Sequence, residues 1–124
     1  MVEKLMRLER QLSDEFGPFR LFGLFLREDA NEKWDLVVAA DWLKTQGGDA
    51  IDLLSERLKV LFSRAELMMV SRIVSLSATD RFLSAVTGAI QVVHGLREVS
   101  QVSFAGVDVD RGYVITSEPN RGRR

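Results

Sequence analysis

The segment "LFGLFLREDANEKWDLVVAADWL", residues Leu21 to Leu43, decides the fold. Two apolar runs flank a short charged stretch, and from Trp34 onward the apolar and polar positions alternate. Trp34, Leu36 and Val38 fall on one face of this second run, as in a half-buried β-strand. Two strand-like runs joined by a few polar residues predict a β-hairpin, with its turn over 28–33.

The first run of this hairpin is apolar on both alternating faces, which is typical of a strand covered on both sides. Small soluble monomers seldom leave such a face open. The sequence therefore predicts a second subunit on one face, most simply in a two-fold homodimer. Phe22, Phe25 and Trp42 are the predicted partner-binding residues, and a larger protein partner is the alternative.

Three helices are predicted around this hairpin from apolar residues at three- and four-residue spacing. The first contains Leu5, Leu8 and Leu12 and ends before Gly17-Pro18. The second begins at about Asp49. A third strand is predicted after it, in "MMVSRIVSL", although residues 64–69 could extend the helix. The third is capped by Ser77 or Thr79 and ends at Gly95. A second hairpin follows, with its turn at Asp110-Arg111-Gly112.

These elements predict an α+β fold in the order α-β-β-α-β-α-β-β. The expected architecture is a single two-layer domain over residues 1–117, with a mainly antiparallel or mixed sheet and the helices packed on one face. Residues 118–124 lack apolar side chains and are predicted to form a flexible basic tail.

The composition excludes several classes of protein. The 124 residues contain no cysteine, which excludes disulfides, thiolate metal ligands and a cysteine nucleophile. The balance of 17 basic against 18 acidic side chains disfavours binding to nucleic acid or to an anionic membrane. No apolar stretch is long enough for a membrane span, so a soluble, cytoplasmic protein is predicted.

Few residues have the character of a catalytic site, and neither a catalytic residue nor a cofactor is predicted. His94 is the only histidine and is expected to cap the C-terminal end of the third helix. Asp108 and Asp110 flank Val109, a spacing that can hold magnesium but is equally typical of a solvated edge hairpin. These two acids, with Asp35 and Asp41, are weak candidates for metal ligands, and the favoured interpretation is that no metal binds.

A helix, a strand with Phe22-Gly23 and then "WDLVV" together resemble the minimal nucleotidyltransferase layout. That family carries Gly-Ser after its first strand and an acid–apolar–acid triplet in its second. This chain has Gly23-Leu24 and Lys33-Trp34-Asp35 at those places, so it keeps only the glycine and one acid. The resemblance implies a degenerate relative that lacks half of the metal ligands.

Three functions follow from these observations. The preferred one is a non-catalytic association or partner-binding module, because apolar strand surface is abundant and catalytic groups are scarce. The second is a divalent-metal, carboxylate-based enzyme or a degenerate nucleotidyltransferase-like domain. The third is a nucleic-acid accessory protein that uses a local basic patch of Arg20, Arg27, Arg64 and Arg72.

Overall fold

The computed structural model describes residues 1–27, 33–45 and 49–119. Within these ranges the chain forms five helices and five strands. The elements, in chain order, are α1 (Val2–Phe16), β1 (Leu21–Arg27), β2 (Trp34–Ala39), α2 (Asp41–Thr45), α3 (Asp49–Leu61), α4 (Arg64–Met69), β3 (Val70–Ser75), α5 (Arg81–Ala89), β4 (Arg97–Phe104) and β5 (Val107–Ser117).

The five strands form one mixed sheet in the order β3-β2-β1-β5-β4. β1 is central and pairs antiparallel with β2 on one side and with β5 on the other. β2 and β3 are parallel, whereas β4 and β5 are antiparallel. The α+β class and the antiparallel pairing of the first two strands are therefore confirmed. The predicted turn lies outside the described residues, except for Lys33.

Helices cover both faces of the sheet. On one face, Phe22 of β1 lies in a core cluster with Leu8 of α1 and Leu54 of α3. On the other face, Phe25 clusters with Leu83 of α5. The sheet is thus the middle of three layers, whereas the sequence had placed all helices on one face. α5 of the same chain packs on part of the second apolar face of β1, where the sequence predicts a second subunit.

α5 is shorter than the sequence predicted. Its N-cap is Asp80, whose Oδ1 accepts hydrogen bonds from the backbone N–H of Phe82 at 2.8 Å and of Leu83 at 3.4 Å. The helix ends at Ala89 because Val92 pairs with Ser117 instead, through backbone hydrogen bonds of 3.1 and 2.7 Å. The predicted end at Gly95 and the predicted caps are therefore wrong, and His94 lies beyond the helix.

The second hairpin turns at a different place from the one predicted. Ala105 and Gly106 have φ angles of 53° and 85°, the two positive values that a two-residue type I′ turn requires. The predicted turn residues 110–112 lie inside β5. A Cβ on Gly112 would stand 2.9 Å from the ring of Phe25, so this glycine makes room for the aromatic side chain.

The carboxylate of Glu66 links α4 to α1. Ser63 and Glu66 form a capping box at the start of α4, with hydrogen bonds of 3.2 and 2.8 Å. Glu66 Oε1 also lies 2.7 Å from Nζ of Lys4 in α1. The hydrogen bond from Lys4, followed by that from the Ser63 backbone, lowers the pKa of Glu66 from 4.5 to about 2.

This lowered pKa predicts a pH dependence of stability. A carboxyl whose pKa is depressed by folding stabilises the fold above its unfolded pKa, and this contribution is lost as the pH falls from about 4.5 to about 2. Urea unfolding over this pH range should therefore show a smaller loss of stability in Glu66→Gln than in the wild type. The control Glu98→Gln, at an exposed position in β4, should keep the loss of the wild type. Equal losses in wild type and Glu66→Gln would contradict the prediction.

Two further sequence predictions concern the C-terminal tail and membrane-spanning helices. Residues 120–124, most of the predicted tail, lie outside the described residues, and Glu118 still donates its N–H to the Arg20 carbonyl at 2.9 Å. In the ranges that the structure describes, no helix combines the length and apolar character needed to cross a membrane.

Candidate functional site

A pocket of about 340 Å³ lies on the α5 face of the sheet, beside the start of α5. It exists because α5 is short and leaves part of the apolar face uncovered. Phe25, Val37 and Val109 form part of its lining. Phe82, the second residue of α5, also lines it and stands edge-on to the ring of Phe25, with a centroid distance of 5.4 Å. We refer to this cavity as the α5-face pocket.

One side of the α5-face pocket carries a buried acid, Asp35, whose relative exposure is 3%. Its Oδ2 accepts hydrogen bonds from Arg27 Nε at 2.9 Å and from Arg72 Nη2 at 3.3 Å. Its Oδ1 is buried and lies 3.3 Å from Arg72 Nε, but outside hydrogen-bonding geometry. The Asp35 charge is therefore balanced by two guanidinium groups, while one oxygen has no hydrogen-bond donor.

The four acids considered as metal ligands do not converge. Asp35 faces the α5 side, whereas Asp108 points to the opposite face because its neighbours Val107 and Val109 both pack toward α5. Asp110 accepts a hydrogen bond from the Gln101 side chain. Asp41 is exposed at the start of α2. In the part of the chain that the structure describes, no three acidic or histidine side chains are grouped so that they could hold a metal ion.

The residues that suggested a nucleotidyltransferase-like domain or a nucleic-acid-binding patch have local structural roles. Gly23 lies inside β1, where a Cβ would stand 2.9 Å from the Phe25 ring. Arg27 and Arg72, two members of the predicted basic patch, are ion-paired with Asp35. The Nε and Nη1 atoms of Arg20 are buried. The described residues therefore do not present these arginines as one open cationic surface.

The predicted partner-binding residues lie in the core. Phe22 and Phe25 are 0% and 1% exposed, on opposite faces of β1. β2 ends at Ala39, so Trp42 belongs to α2, where it stacks on Phe16 with a centroid distance of 5.0 Å. Their burial leaves little of these three side chains for a partner to contact.

A second polar cluster is centred on Glu9, a residue that was not among the sequence-predicted candidates. Glu9 is 0% exposed, although it lies on α1. Its Oε2 accepts hydrogen bonds from Thr116 Oγ1 at 2.8 Å and from Ser13 Oγ at 3.2 Å. Its Oε1 lies 2.8 Å from His94 Nδ1, and the His94 backbone N–H donates to Thr116 Oγ1 at 3.1 Å. This Glu9 cluster joins α1, β5 and the segment after α5.

The Glu9 cluster fixes the orientation of the imidazole. His94 has a φ of 51°, an uncommon value for a residue with a side chain, and its ring is 31% exposed. A carboxylate bound to Nδ1 holds the ring in one orientation. The sequence contained a signal for this burial, since Glu9 is one helical turn from both Leu5 and Leu12 and thus lies inside the apolar stripe of α1.

β3 is an edge strand, and its outward side has no strand neighbour among the described residues. Leu76, just after β3, donates its N–H to the Val38 carbonyl at 2.9 Å. Backbone groups alternate in direction along a regular strand, so those of Ile73 and Ser75 point away from β2. The β2–β3 register shifts between the Trp34–Val70 and Asp35–Arg72 pairs, so the regular part of the strand begins at Arg72. The two residues before β3, Met68 and Met69, are 65% and 43% exposed. We refer to residues 68–75 as the β3 edge.

The structure thus presents two features suited to binding, the α5-face pocket and the β3 edge, which adjoin each other at Arg72 and Val74. Comparison of the chain with protein-family models, with curated proteins and with solved structures gave no match.

Proposed function

We propose that this protein is a non-catalytic association module whose functional unit is a homodimer formed through the β3 edge. The observation that supports the proposal is the unpaired outward side of β3 in the described chain, next to two exposed methionines. An edge strand of this kind is a template for pairing with a further strand. A cytoplasmic location belongs to the same proposal, because a cysteine-free chain suits a reducing compartment.

The β3 edge is complementary to itself. Its regular part, from Arg72 onward, has outward backbone groups at Ile73 and Ser75, because the register shift in β3 lies before Arg72. In a two-fold antiparallel pair, Ile73 of each copy lies opposite Ile73 of the other, and Ser71 lies opposite Ser75. The Ile73 pair exchanges both N–H···O hydrogen bonds. A two-fold axis at Ile73 therefore gives a closed interface.

Apolar contacts support the same arrangement. Antiparallel pairing places the residues before Val70 of one copy beside the residues after Ser75 of the other. Met68 and Met69 would then pack over the end of the second β3. Methionine is flexible and is enriched at protein interfaces, so these side chains can adapt to the facing surface.

The test is the solution mass of the wild type and of one backbone variant, measured by light scattering at tens of micromolar protein. We expect twice the 14.0 kDa chain mass for the wild type. Ser75→Pro should be monomeric, because proline removes an outward N–H that the bond to β2 does not use. The matched control Ser75→Ala keeps this N–H and should stay dimeric.

Far-ultraviolet circular dichroism checks that Ser75→Pro keeps the fold. A wild-type monomer at this concentration would overturn the proposal, and so would a folded Ser75→Pro dimer. A larger complex formed only when a different protein is added would indicate that another chain pairs with the edge.

A further inference from the structure

A third feature suited to binding lies beside the Glu9 cluster. It is an open cavity of about 430 Å³ between α1 and His94, which we call the α1 groove. We propose that the α1 groove binds the phosphate group of a small phosphate monoester, with Arg7 and Arg10 binding its oxygens and His94 orienting it. The groove shares no residue with the β3 edge, so this inference is independent of the dimer proposal.

The α1 groove is lined by two arginines whose charges are not paired. Arg7 and Arg10 are exposed and one helical turn apart on α1, and their guanidinium groups make no hydrogen bond or ion pair within the described chain. Arg57 and Arg72, by contrast, each bind a carboxylate. A guanidinium group can donate two parallel hydrogen bonds to a phosphate. The two arginines therefore favour an anionic ligand with several acceptor oxygens.

The acids near the groove leave this preference in place. Glu3 also lines the groove, so two positive charges face one negative charge in the described lining. Glu9 is completely buried, and both of its oxygens are bonded within the Glu9 cluster, so a ligand in the groove does not contact it. Met6 is partly buried and offers an apolar surface for the organic part of the monoester.

His94 presents one defined nitrogen to a ligand. An ionised carboxylate only accepts hydrogen bonds, so the Nδ1 atom that contacts Glu9 carries a proton. Nε2 has no partner in the described chain and is accessible to solvent. A neutral ring accepts a proton-bearing phosphate oxygen at Nε2, and a charged ring donates to a bare one. A phosphate monoester, whose second proton dissociates at about pH 6, can supply either oxygen.

The Glu9 cluster holds His94 in place before any ligand arrives. Burial of a carboxylate is unfavourable unless it is fully bonded. A positive φ, here 51°, is also strained for a residue with a side chain. Such departures are concentrated at functional sites, where surrounding contacts fix a side chain in the geometry that a ligand requires. The strained backbone and the buried acid therefore support a binding role for the imidazole.

The size of the groove and the charge of the chain favour a small ligand. A volume of about 430 Å³ lies within the range of roughly 300–1,000 Å³ typical of small-molecule sites. The net charge of the whole chain is −1, which disfavours long polyanions and anionic membranes. The phosphate is therefore assigned to a free small molecule.

Two probes of similar shape test the need for a monoester. Phenyl phosphate is a monoester, whereas methyl phenyl phosphate is a diester with one charge fewer. Because His94 is the only histidine, its ring signals are unambiguous in ¹H–¹⁵N spectra of the full chain. At constant ionic strength, millimolar phenyl phosphate should shift these signals and the amide signals of Arg7 and Arg10. The diester should bind about ten-fold more weakly, since a hydrogen bond to a charged oxygen is lost.

Variants test the location and the role of each side chain. Arg10→Gln should weaken phenyl phosphate binding about ten-fold. The matched control Arg81→Gln removes the same charge from an exposed position on α5 and should leave the affinity unchanged. His94→Asn should also weaken binding. Asparagine tolerates a positive φ, and its amide can donate to Glu9 as Nδ1 does, but it has no counterpart of Nε2. Circular dichroism confirms that each variant is folded.

The proposal is overturned if phenyl phosphate shifts none of these signals, if both probes bind equally, or if Arg10→Gln and Arg81→Gln weaken binding to the same extent. Wild-type affinity in folded His94→Asn would overturn the role of the imidazole. Vesicles that contain phosphatidic acid, a lipid phosphate monoester, should not bind the protein more than neutral vesicles do. Vesicle binding that Arg10→Gln abolishes would overturn the assignment to a free small molecule.

Discussion

Phe22→Ala should lower the free energy of unfolding by about 3–5 kcal/mol, the range for removing a fully buried phenylalanine side chain. Phe22 lies in the central strand and is 0% exposed. Its ring meets that of Phe19 edge-on, with a centroid distance of 4.9 Å. The substitution removes this contact and leaves a cavity between the sheet and α1, which the rigid neighbours fill only in part. Urea unfolding followed by circular dichroism measures the loss.

Val60→Ala provides the control for this measurement, because Val60 is 83% exposed on α3. It should change stability by no more than about 0.5 kcal/mol. A loss below about 1 kcal/mol for Phe22→Ala, together with a change in the mass of the native protein, would support the interface role that the sequence suggested.

The second large effect is expected at Thr116, which is 2% exposed. Its hydroxyl donates to Glu9 Oε2 at 2.8 Å and accepts from the His94 N–H at 3.1 Å. Thr116→Val keeps the shape but removes both hydrogen bonds. We expect a loss of about 3 kcal/mol, because a buried carboxylate loses a donor and a backbone N–H loses its acceptor. Thermal and urea unfolding give the value.

A matched substitution isolates the role of Glu9. Thr87 is as buried as Thr116, but its hydroxyl donates to the carbonyl of Leu83 in its own helix, at 2.9 Å. Thr87→Val should therefore cost clearly less than Thr116→Val. In a Glu9→Gln background the loss of stability caused by Thr116→Val should also be smaller. The Thr116 hydroxyl then donates to a neutral amide, so no buried charge loses a donor. Additive effects would show that Thr116 acts independently of Glu9.

Local patterns were sufficient to predict most of the elements. The alternation from Trp34 onward predicted the β1–β2 pair, and the stripe of Leu5, Leu8 and Leu12 predicted α1. These patterns report which face of an element is buried, and that is decided within a few residues of sequence. The sequence did not decide whether residues 64–69 extend the preceding helix, although Ser63 and Glu66 have the spacing of a capping box that starts a separate one.

Backbone pairing between distant segments explains why the end of α5 and the turn of the second hairpin were predicted wrongly. α5 stops early because Val92 pairs with Ser117, a residue that periodicity within the helix cannot reveal. The same pairing removes His94 from the helix, and the hydroxyl of Thr116 then helps to hold its backbone. The turn of the second hairpin follows the β4–β5 register, in which Val102 meets Val109 across the pair. No spacing within β5 alone determines that register.

Only part of each candidate site could be predicted from the sequence. Asp35 was noted as an acid, but its arginine partners lie on two other strands, at Arg27 and Arg72. The α5-face pocket depends on the length of α5 and on the strand order. The β3 edge became visible only once the sheet order placed β3 outside β2.

The central position of β1 has a consequence for folding during synthesis. Leu24 of β1 pairs with Leu36 nearby in the sequence and with Tyr113 near the other end of the chain. A growing chain can therefore form the β1–β2 hairpin early, while the other side of β1 stays unpaired until β5 emerges. Pairing between such distant segments is slow, and an unpaired apolar strand is prone to aggregate in the meantime. The central strand of the finished sheet is thus the one whose second partner is synthesised last.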